Sequence, residues 1–278
     1  MRFDYYAATI PQPVELCLEG LSRGLGGDFL TARPLQSYTT GFECITGSFR
    51  LYCGGQNPHP FFVATGEDAA AGAEVLRRVF PSHRVARADV AYDFIEAGGF
   101  DRVVALIDPI VRKAKVKVTF IGDPAPGQTA GRTMYFGSKD SDVRIRVYEK
   151  DLEQIAKGNP NVPAGWVRVE LQTRPRKVRK SLAASMTEAE LFGLSQWSLK
   201  AAEAVLGVTV PYTPDRSMRE STTERAIRHM IDQYGSAIGR FVEQYGRKEF
   251  DRRITNKLLQ GSEADPLDRV DRSKFKVH

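Results

Sequence analysis

Polar and apolar residues alternate most sharply between Gly131 and Glu153, where the chain reads GRTMYFGSKDSDVRIRVYEKDLE. Two strand-like runs flank a Gly-Ser turn, and in the second Arg144, Arg146, Tyr148 and Lys150 fall at every other position, separated by Val143, Ile145 and Val147. A strand sends successive side chains to opposite faces, so the polar set shares one face while the apolar set turns to a core. The pattern recurs in RVARADVAYDFI (84–95), where Arg87, Asp89, Ala91 and Asp93 oppose Val90, Tyr92 and Phe94. It recurs again in WVRVELQTR (166–174), where Arg168, Glu170, Gln172 and Arg174 oppose Val167, Val169 and Leu171. In one sheet with these faces aligned, Asp89, Asp93 and Glu170 gather beside Tyr148 among arginines, with Tyr135 on the partner strand.

Around these motifs the pattern predicts further short strands and amphipathic helices. Residues 3–10 read as a strand ended by Pro11 and Pro13, residues 14–23 as a helix, and Gly24, Gly26 and Gly27 as a loop. Runs at 42–46 and 49–52 flank Gly47-Ser48, a dipeptide suited to a tight hairpin if Gly47 takes a positive φ. Another strand is predicted over 61–64, and helices over 69–80, ended by Pro81, and over 100–114, bent by Pro109. Lys115, Lys117 and Thr119 alternate with Val116, Val118 and Phe120 in a strand, 122–131 is a Gly- and Pro-rich connection, and 152–157 is a helical turn. A helix over 187–206 and a polar linker over 211–221 follow. Ile227, Met230, Ile231, Tyr234, Ile238, Phe241, Val242 and Tyr245 then recur at spacings of three and four in one amphipathic helix.

The fold expected is α+β, with a largely antiparallel central sheet, flanking helices and a C-terminal helical extension. Residues 1–210 form the main domain, 211–260 the extension, and 261–278 a charged tail expected to be disordered.

Composition narrows the partners. Lys and Arg total 40 against 34 acidic residues, a net charge of +6. That excess matters only where it clusters, as it does at Arg168, Arg174, Arg176, Lys177, Arg179 and Lys180, a run suited to phosphate contacts or, equally, to a solvated connector. Cys17, Cys44 and Cys53 are odd in number and lack metal or disulfide spacing, which fits a reducing cytoplasm. Neither a secretion signal nor a membrane span is expected. His59, His83, His229 and His278 are isolated and read as surface or structural.

Carboxylates, a phenol and a basic surround suit metal-assisted chemistry on phosphate. A tyrosine hydroxyl is a poor nucleophile at neutral pH, and Arg146, Lys150 and a nearby divalent cation are expected to favour its phenolate. Asp89, Glu170 and Asp93 offer oxygen ligands for Mg or Mn, while Arg87, Arg144, Arg168 and Arg174 offer guanidinium donors to phosphate. From the residues alone, Tyr148 as a plain strand tyrosine and the carboxylates as cross-strand ion-pair partners stay open, and Tyr135 is the alternative nucleophile.

The segments RADVAYDF, the Gly131–Glu153 stretch and WVRVELQTR resemble, in order, the R-x-D-x-x-x-D strand, the Tyr-φ-Gly-Ser turn with its R-φ-Tyr-[DE]-Lys strand, and the Arg-φ-Glu strand of the trans-acting Rep family. These are the replication initiation factors of rolling-circle plasmids and filamentous phages, and the resemblance runs from about Tyr5 to Leu206. It implies a strand-specific nick at the replication origin, with Tyr148 carrying a covalent phosphotyrosyl link and a free 3' hydroxyl left as primer. It further implies origin DNA with an extruded hairpin, a host helicase and polymerase as partners, and a homodimer. The His-hydrophobe-His metal motif of the wider rolling-circle nicking superfamily is absent, so any metal rests on carboxylates. The second function class is a catalytically silent DNA-binding regulator on the same scaffold.

Overall fold

A computed structural model describes residues 1–122, 131–213 and 222–255. Chain contacts divide it into two compact units, Met1–Ser217 and Met218–His278.

The first unit is built on a single antiparallel sheet. Its strands are β1 (Arg2–Thr9), β2 (Phe29–Ala32), β3 (Thr40–Cys44), β4 (Phe49–Cys53), β5 (Phe61–Thr65), β6 (Arg84–Ile95), β7 (Val118–Ile121), β8 (Thr133–Phe136), β9 (Val143–Glu149) and β10 (Trp166–Thr173). They lie in the order β2-β3-β4-β5-β1-β6-β10-β9-β8-β7. The motif strands β6, β10 and β9 are therefore adjacent at the centre, and the fold is α+β. The helices are α1 (Val14–Leu25), α2 (Ala69–Val79), α3 (Gly99–Lys113), α4 (Lys150–Ala156), α5 (Arg179–Leu182) and α6 (Gln196–Leu206).

Helices α2, α3 and α6 pack on the central strands, and α1 packs on α2. Their apolar faces meet Tyr6, Ala8, Val90, Ile145, Val147, Val169 and Leu171 in the main core. Burial of this face supplies most of the driving force for the fold. The opposite face of the central strands carries the polar sets read from the alternation. A second, small apolar cluster on Ala7, Tyr52 and Val63 lies apart from the main core.

Local chemistry explains where the expected elements shift. Pairing of β1 with β6 slips between Phe3 and Tyr5 and again between Ala7 and Ala8. These bulges turn Phe3, Tyr6 and Ala8 to the core and put Tyr5 opposite Asp89 and Ala7 opposite Arg87, a re-aiming that strict alternation does not foresee. Gly47 is not among the positive-φ glycines, so the β3–β4 turn does not rest on a left-handed glycine. A Cβ there would instead meet the Phe49 ring at 2.6 Å. The strand expected from Lys115 begins only at Val118, because Lys115 itself has φ 54 and ends α3 as a left-handed residue. Pro109 does sit inside α3. The helix expected over 187–206 is broken: Glu190–Leu194 is a 3-10 turn and Ser195 is extended, at φ −141 and ψ 142. Ser198 Oγ donates to the Phe192 carbonyl at 2.7 Å, satisfying an acceptor at the break.

In the second unit, α7 (Thr222–Tyr245) is the single amphipathic helix expected, followed by α8 (Arg247–Phe250) and a π turn at Asp251–Thr255. Phe241 packs its ring 4.9 Å from Tyr245 and 6.3 Å from Phe250. The expected tail at 261–278 lies outside the described residues, as does most of the expected linker. No described helix is long and apolar enough to cross a membrane.

Candidate functional site

Register fixes what meets on the polar face. Across β10, Arg168 faces Asp93 of β6 and Tyr148 of β9, Glu170 faces Ala91 and Arg146, and Gln172 faces Asp89 and Arg144. One strand further, Tyr135 of β8 faces Arg146. The turn that brings β8 to β9 needs Gly137: its φ is 102, and a Cβ would stand 2.8 Å from the Val143 carbonyl.

The centre holds cations with donors to spare. Arg146 Cζ lies 3.7 Å from the Tyr148 ring centroid, and Arg144 Cζ lies 3.7 Å from that of Tyr135. Such stacking holds each guanidinium flat on a ring, with its N–H edge directed sideways. Arg146 also reaches Glu170, with Nη1 to Oε2 at 3.7 Å. Even so, Arg144 Nε, Arg146 Nε and Arg174 Nη1 are buried without a hydrogen-bond partner. Burial lowers the Arg144 pKa, and the like charges of Arg174 and Arg146 add to the effect. Buried N–H groups left unpaired among crowded cations cost stability, a cost that an accepting anion would lower.

Asp89 and Glu170 stand beside this cluster on adjacent strands, in diagonal register. Burial pushes the Asp89 carboxyl up to about 6; Arg87 opposes the rise and the Glu170 charge adds to it. Arg87 grips both Asp89 oxygens, Nε donating to Oδ1 at 2.9 Å and Nη2 to Oδ2, so a cation there would share Asp89 with Arg87; Gln172 Nε2 donates to Glu170 Oε1 at 2.6 Å. Two carboxylates in mutual repulsion, one of them held partly protonated, fit a divalent cation whose remaining positions go to water and phosphate oxygens. The described residues contain no cluster of three or more His, Cys, Asp or Glu placed to share an ion.

Asp93, expected as a third ligand, is engaged otherwise. It lies four residues from Asp89 along β6, about 13 Å at strand rise. Arg168 grips it through Nε at 2.6 Å and Nη2 at 2.9 Å, and Trp166 Nε1 adds a third bond at 2.9 Å. Against desolvation, which raises it, these bonds hold Asp93 below the ordinary carboxylate range. Arg168, expected as a phosphate contact, is only 4 % exposed and also donates to Asp4 at 3.2 Å, so in this structure its donors are taken by carboxylates. Asp93→Ala strands this buried guanidinium, and the expected loss is about 3 kcal/mol of stability in urea unfolding. An unchanged midpoint would remove the anchoring role.

Lys150 also departs from expectation. The strand ends at Glu149, and Lys150 opens α4 with its ammonium ion-paired to Glu153. Its Nζ still lies 5.4 Å from the Tyr148 ring. The basic surround does not lower the Tyr148 pKa: burial raises it strongly, Glu170 adds to the rise, and Arg168 and Arg146 oppose it. Tyr148 is 3 % exposed, whereas Tyr135 is half-buried.

The basic run after β10 is split in the same way. Arg176 Nε meets Asp142 at 3.0 Å and Arg179 Nη1 meets it at 3.9 Å, so both tie the run to the start of β9. Lys177 is exposed, and Lys180 is partly so. Changing Arg144 and Arg174 to Gln is expected to lower the log–log salt slope of single-strand binding by about 1.4 in all, at about 0.7 per contact. Anisotropy titrations over a salt series measure this, and Arg176→Gln should leave the slope in place.

Alternation did not assign Gln172 or Asp4, which orient Glu170 and Arg168; their roles depend on register across strands. His83 is buried and bonded to the Tyr6 hydroxyl at 2.7 Å and the Phe80 carbonyl at 2.8 Å, a structural role.

Fold and face together define an α+β protein whose central sheet carries a cationic, carboxylate-bearing face. Residues 83–254 match the replication initiation factor family, and the chain belongs to that family. The match begins at His83, so β1 to β5, α1 and α2 lie outside it. The fold is similar to that of the rolling circle replication initiator protein from Geobacillus stearothermophilus, at 18 % identity and a TM-score of 0.50, covering 80 % of this chain and 89 % of that one. No curated protein matches the chain significantly.

Proposed function

We propose that this replication initiation factor starts rolling-circle replication by nicking one strand of its origin through a tyrosine. The observation that carries the reading is the set of unpartnered guanidinium N–H groups of Arg144, Arg146 and Arg174 beside Tyr148, Tyr135 and the Asp89–Glu170 pair. A binding protein has use for the arginines, but a carboxylate pair facing the same phosphate repels it unless a cation lies between.

Arg144, Arg146 and Arg174 hold the scissile phosphate, and Arg87 and Gln172 keep Asp89 and Glu170 oriented. Tyr148 oxygen attacks phosphorus: the O–P bond forms as the phenol gives up its proton, and the P–O3' bond breaks as the 3' oxygen gains one. The products are a 5'-phosphotyrosyl strand and a 3' hydroxyl primer. Asp89 and Glu170 would hold Mg or Mn, which supplies Lewis-acid stabilisation of the charge on the phosphoryl oxygens. Because burial keeps the Tyr148 phenol protonated and covered, the attack requires DNA to displace Arg146 from its ring.

The greater exposure of Tyr135 favours a second reading in which it is the nucleophile and Arg144 its partner. Origin DNA with an extruded hairpin, a host helicase and polymerase, and a homodimer belong to this proposal as partners. Its test is to incubate the protein with origin-bearing DNA and Mn and to look for a protein–DNA adduct on a denaturing gel. Binding without adduct would leave the silent regulator.

A further inference from the structure

On the same polar face, beyond Arg87, lies the small cluster set apart from the main core. Ala7 and Val63 form its floor, and Tyr5, Tyr38, Tyr52 and Phe61 surround them. Tyr52 is buried, while Tyr5, Tyr38 and Phe61 keep part of their surface open. The Tyr38 and Phe61 rings lie nearly parallel, 10° apart with centroids 5.8 Å apart.

Tyr38 comes not from a strand but from the segment before β3, which is brought in deliberately. Gly54 and Gly55 have φ 78 and 74, and a Cβ on Gly55 would stand 2.6 Å from the Ser37 carbonyl oxygen. Only a left-handed glycine pair lets the segment approach this closely. Tyr5 reaches the face through the bulge after Phe3. Arg87 joins this cluster to the phosphate site, its Cζ 4.5 Å from the Tyr5 ring while its Nε binds Asp89.

Sealing a sheet face needs only aliphatic side chains. Partly open aromatic rings in line with unpartnered guanidinium donors suit a ligand that is anionic along its backbone and flat in its side groups. We propose that Tyr5, Tyr38 and Phe61 are a stacking platform for unpaired bases of the strand whose phosphate is held at Arg144, Arg146 and Arg174. From β9 to β5 is four strand spacings, about 19 Å, a reach that takes several nucleotides of single strand. The inference rests on the nicking proposal for its place beside a scissile phosphate. The platform lies wholly in the chain before His83, outside the part matched to the family.

The test uses the full chain and short single-stranded oligothymidylates carrying 5-iodouracil at successive positions. Ultraviolet cross-linking followed by peptide mapping should place the cross-links on Tyr5, Tyr38 or Phe61. By anisotropy, Tyr38→Leu with Phe61→Leu should weaken single-strand binding about tenfold or more without changing the salt slope, and Tyr38→Phe should restore it. Cross-links confined to other peptides would overturn the platform, as would equal loss of single-strand and duplex binding or equal loss in Tyr38→Phe. The wild-type cross-link stands as a readout even if the double variant does not fold. A tyrosine adduct without cross-links at these rings removes the platform alone; cross-links without an adduct keep the platform and remove the nicking proposal.

Discussion

Tyr148→Phe is expected to abolish the covalent protein–DNA adduct, a fall on the order of a thousandfold or more, while single-strand affinity changes little. The substitution deletes the one oxygen that would attack phosphorus and keeps the ring on which Arg146 lies at 3.7 Å. Folding should be little disturbed, because the buried ring, 3 % exposed, and its packing are kept. Tyr135→Phe keeps the Arg144 contact and should still form adduct. The reverse pattern, with Tyr135→Phe inactive and Tyr148→Phe active, moves the nucleophile to β8 and leaves the rest of the site as described. Quantifying adduct on denaturing gels for both variants under single-turnover conditions separates these outcomes.

Asp89→Asn should separate function from stability. Loss of a ligating oxygen is expected to reduce nicking on the order of a hundredfold or more. Stability should move the other way. Asp89 has its folded pKa raised from 3.8 to about 6, so the folded state binds this proton more tightly than the unfolded chain. Its protonation therefore favours folding: this contribution grows as pH falls from above 6 towards 4, and at neutral pH the buried charge costs up to about 3 kcal/mol. Asn removes that cost, so the variant should unfold at equal or higher urea at pH 7 and lose the stability change between pH 6 and 4. Mn should raise the melting temperature of the wild type at pH 7 and not that of the variant. Nicking by the wild type should fall as pH drops through about 6. A variant that is less stable at pH 7, or that gains as much from Mn as the wild type, would contradict the carboxylate site.

The central strands were legible because their two faces differ in kind. Val143, Ile145 and Val147 against Arg144, Arg146 and Tyr148 can be satisfied only by a strand with a core on one side. β1 was legible as a strand but not in its facing, since bulges shift which residues point inward and nothing in FDYYAAT marks them. β2 is a short edge strand with Leu30 60 % exposed, so it offers no alternation to read. In the 187–206 stretch, Leu191 and Leu194 fit a 3-10 turn as well as an α-helix, and the break shows only through the Ser198 bond to Phe192.

The site was legible as a set of residues on one face, but not as partnerships. Asp89 and Asp93 are equivalent by alternation, and it is the β6–β10 register that gives Asp93 to Arg168 and leaves Asp89 beside Glu170. Burial is likewise a property of neighbours: spacing within β9 puts Arg146 and Lys150 beside Tyr148, but that the ring is 3 % exposed depends also on Arg168 across the β9–β10 register and on the turn into α4. The platform rings escaped notice for the same reason, since Tyr38 joins Tyr52 and Phe61 only through the approach allowed by Gly54 and Gly55.

The most direct measurement of the central claim is the chemical identity of the linked residue. Wild-type protein is incubated with origin-bearing DNA and Mn, the adduct is digested with protease and nuclease, and the nucleotide-bearing peptide is sequenced by mass spectrometry. The account predicts a nucleotide phosphate on Tyr148, within the β9 segment VRIRVYE. DNA bound and metal present, with no tyrosine ever modified, would contradict it.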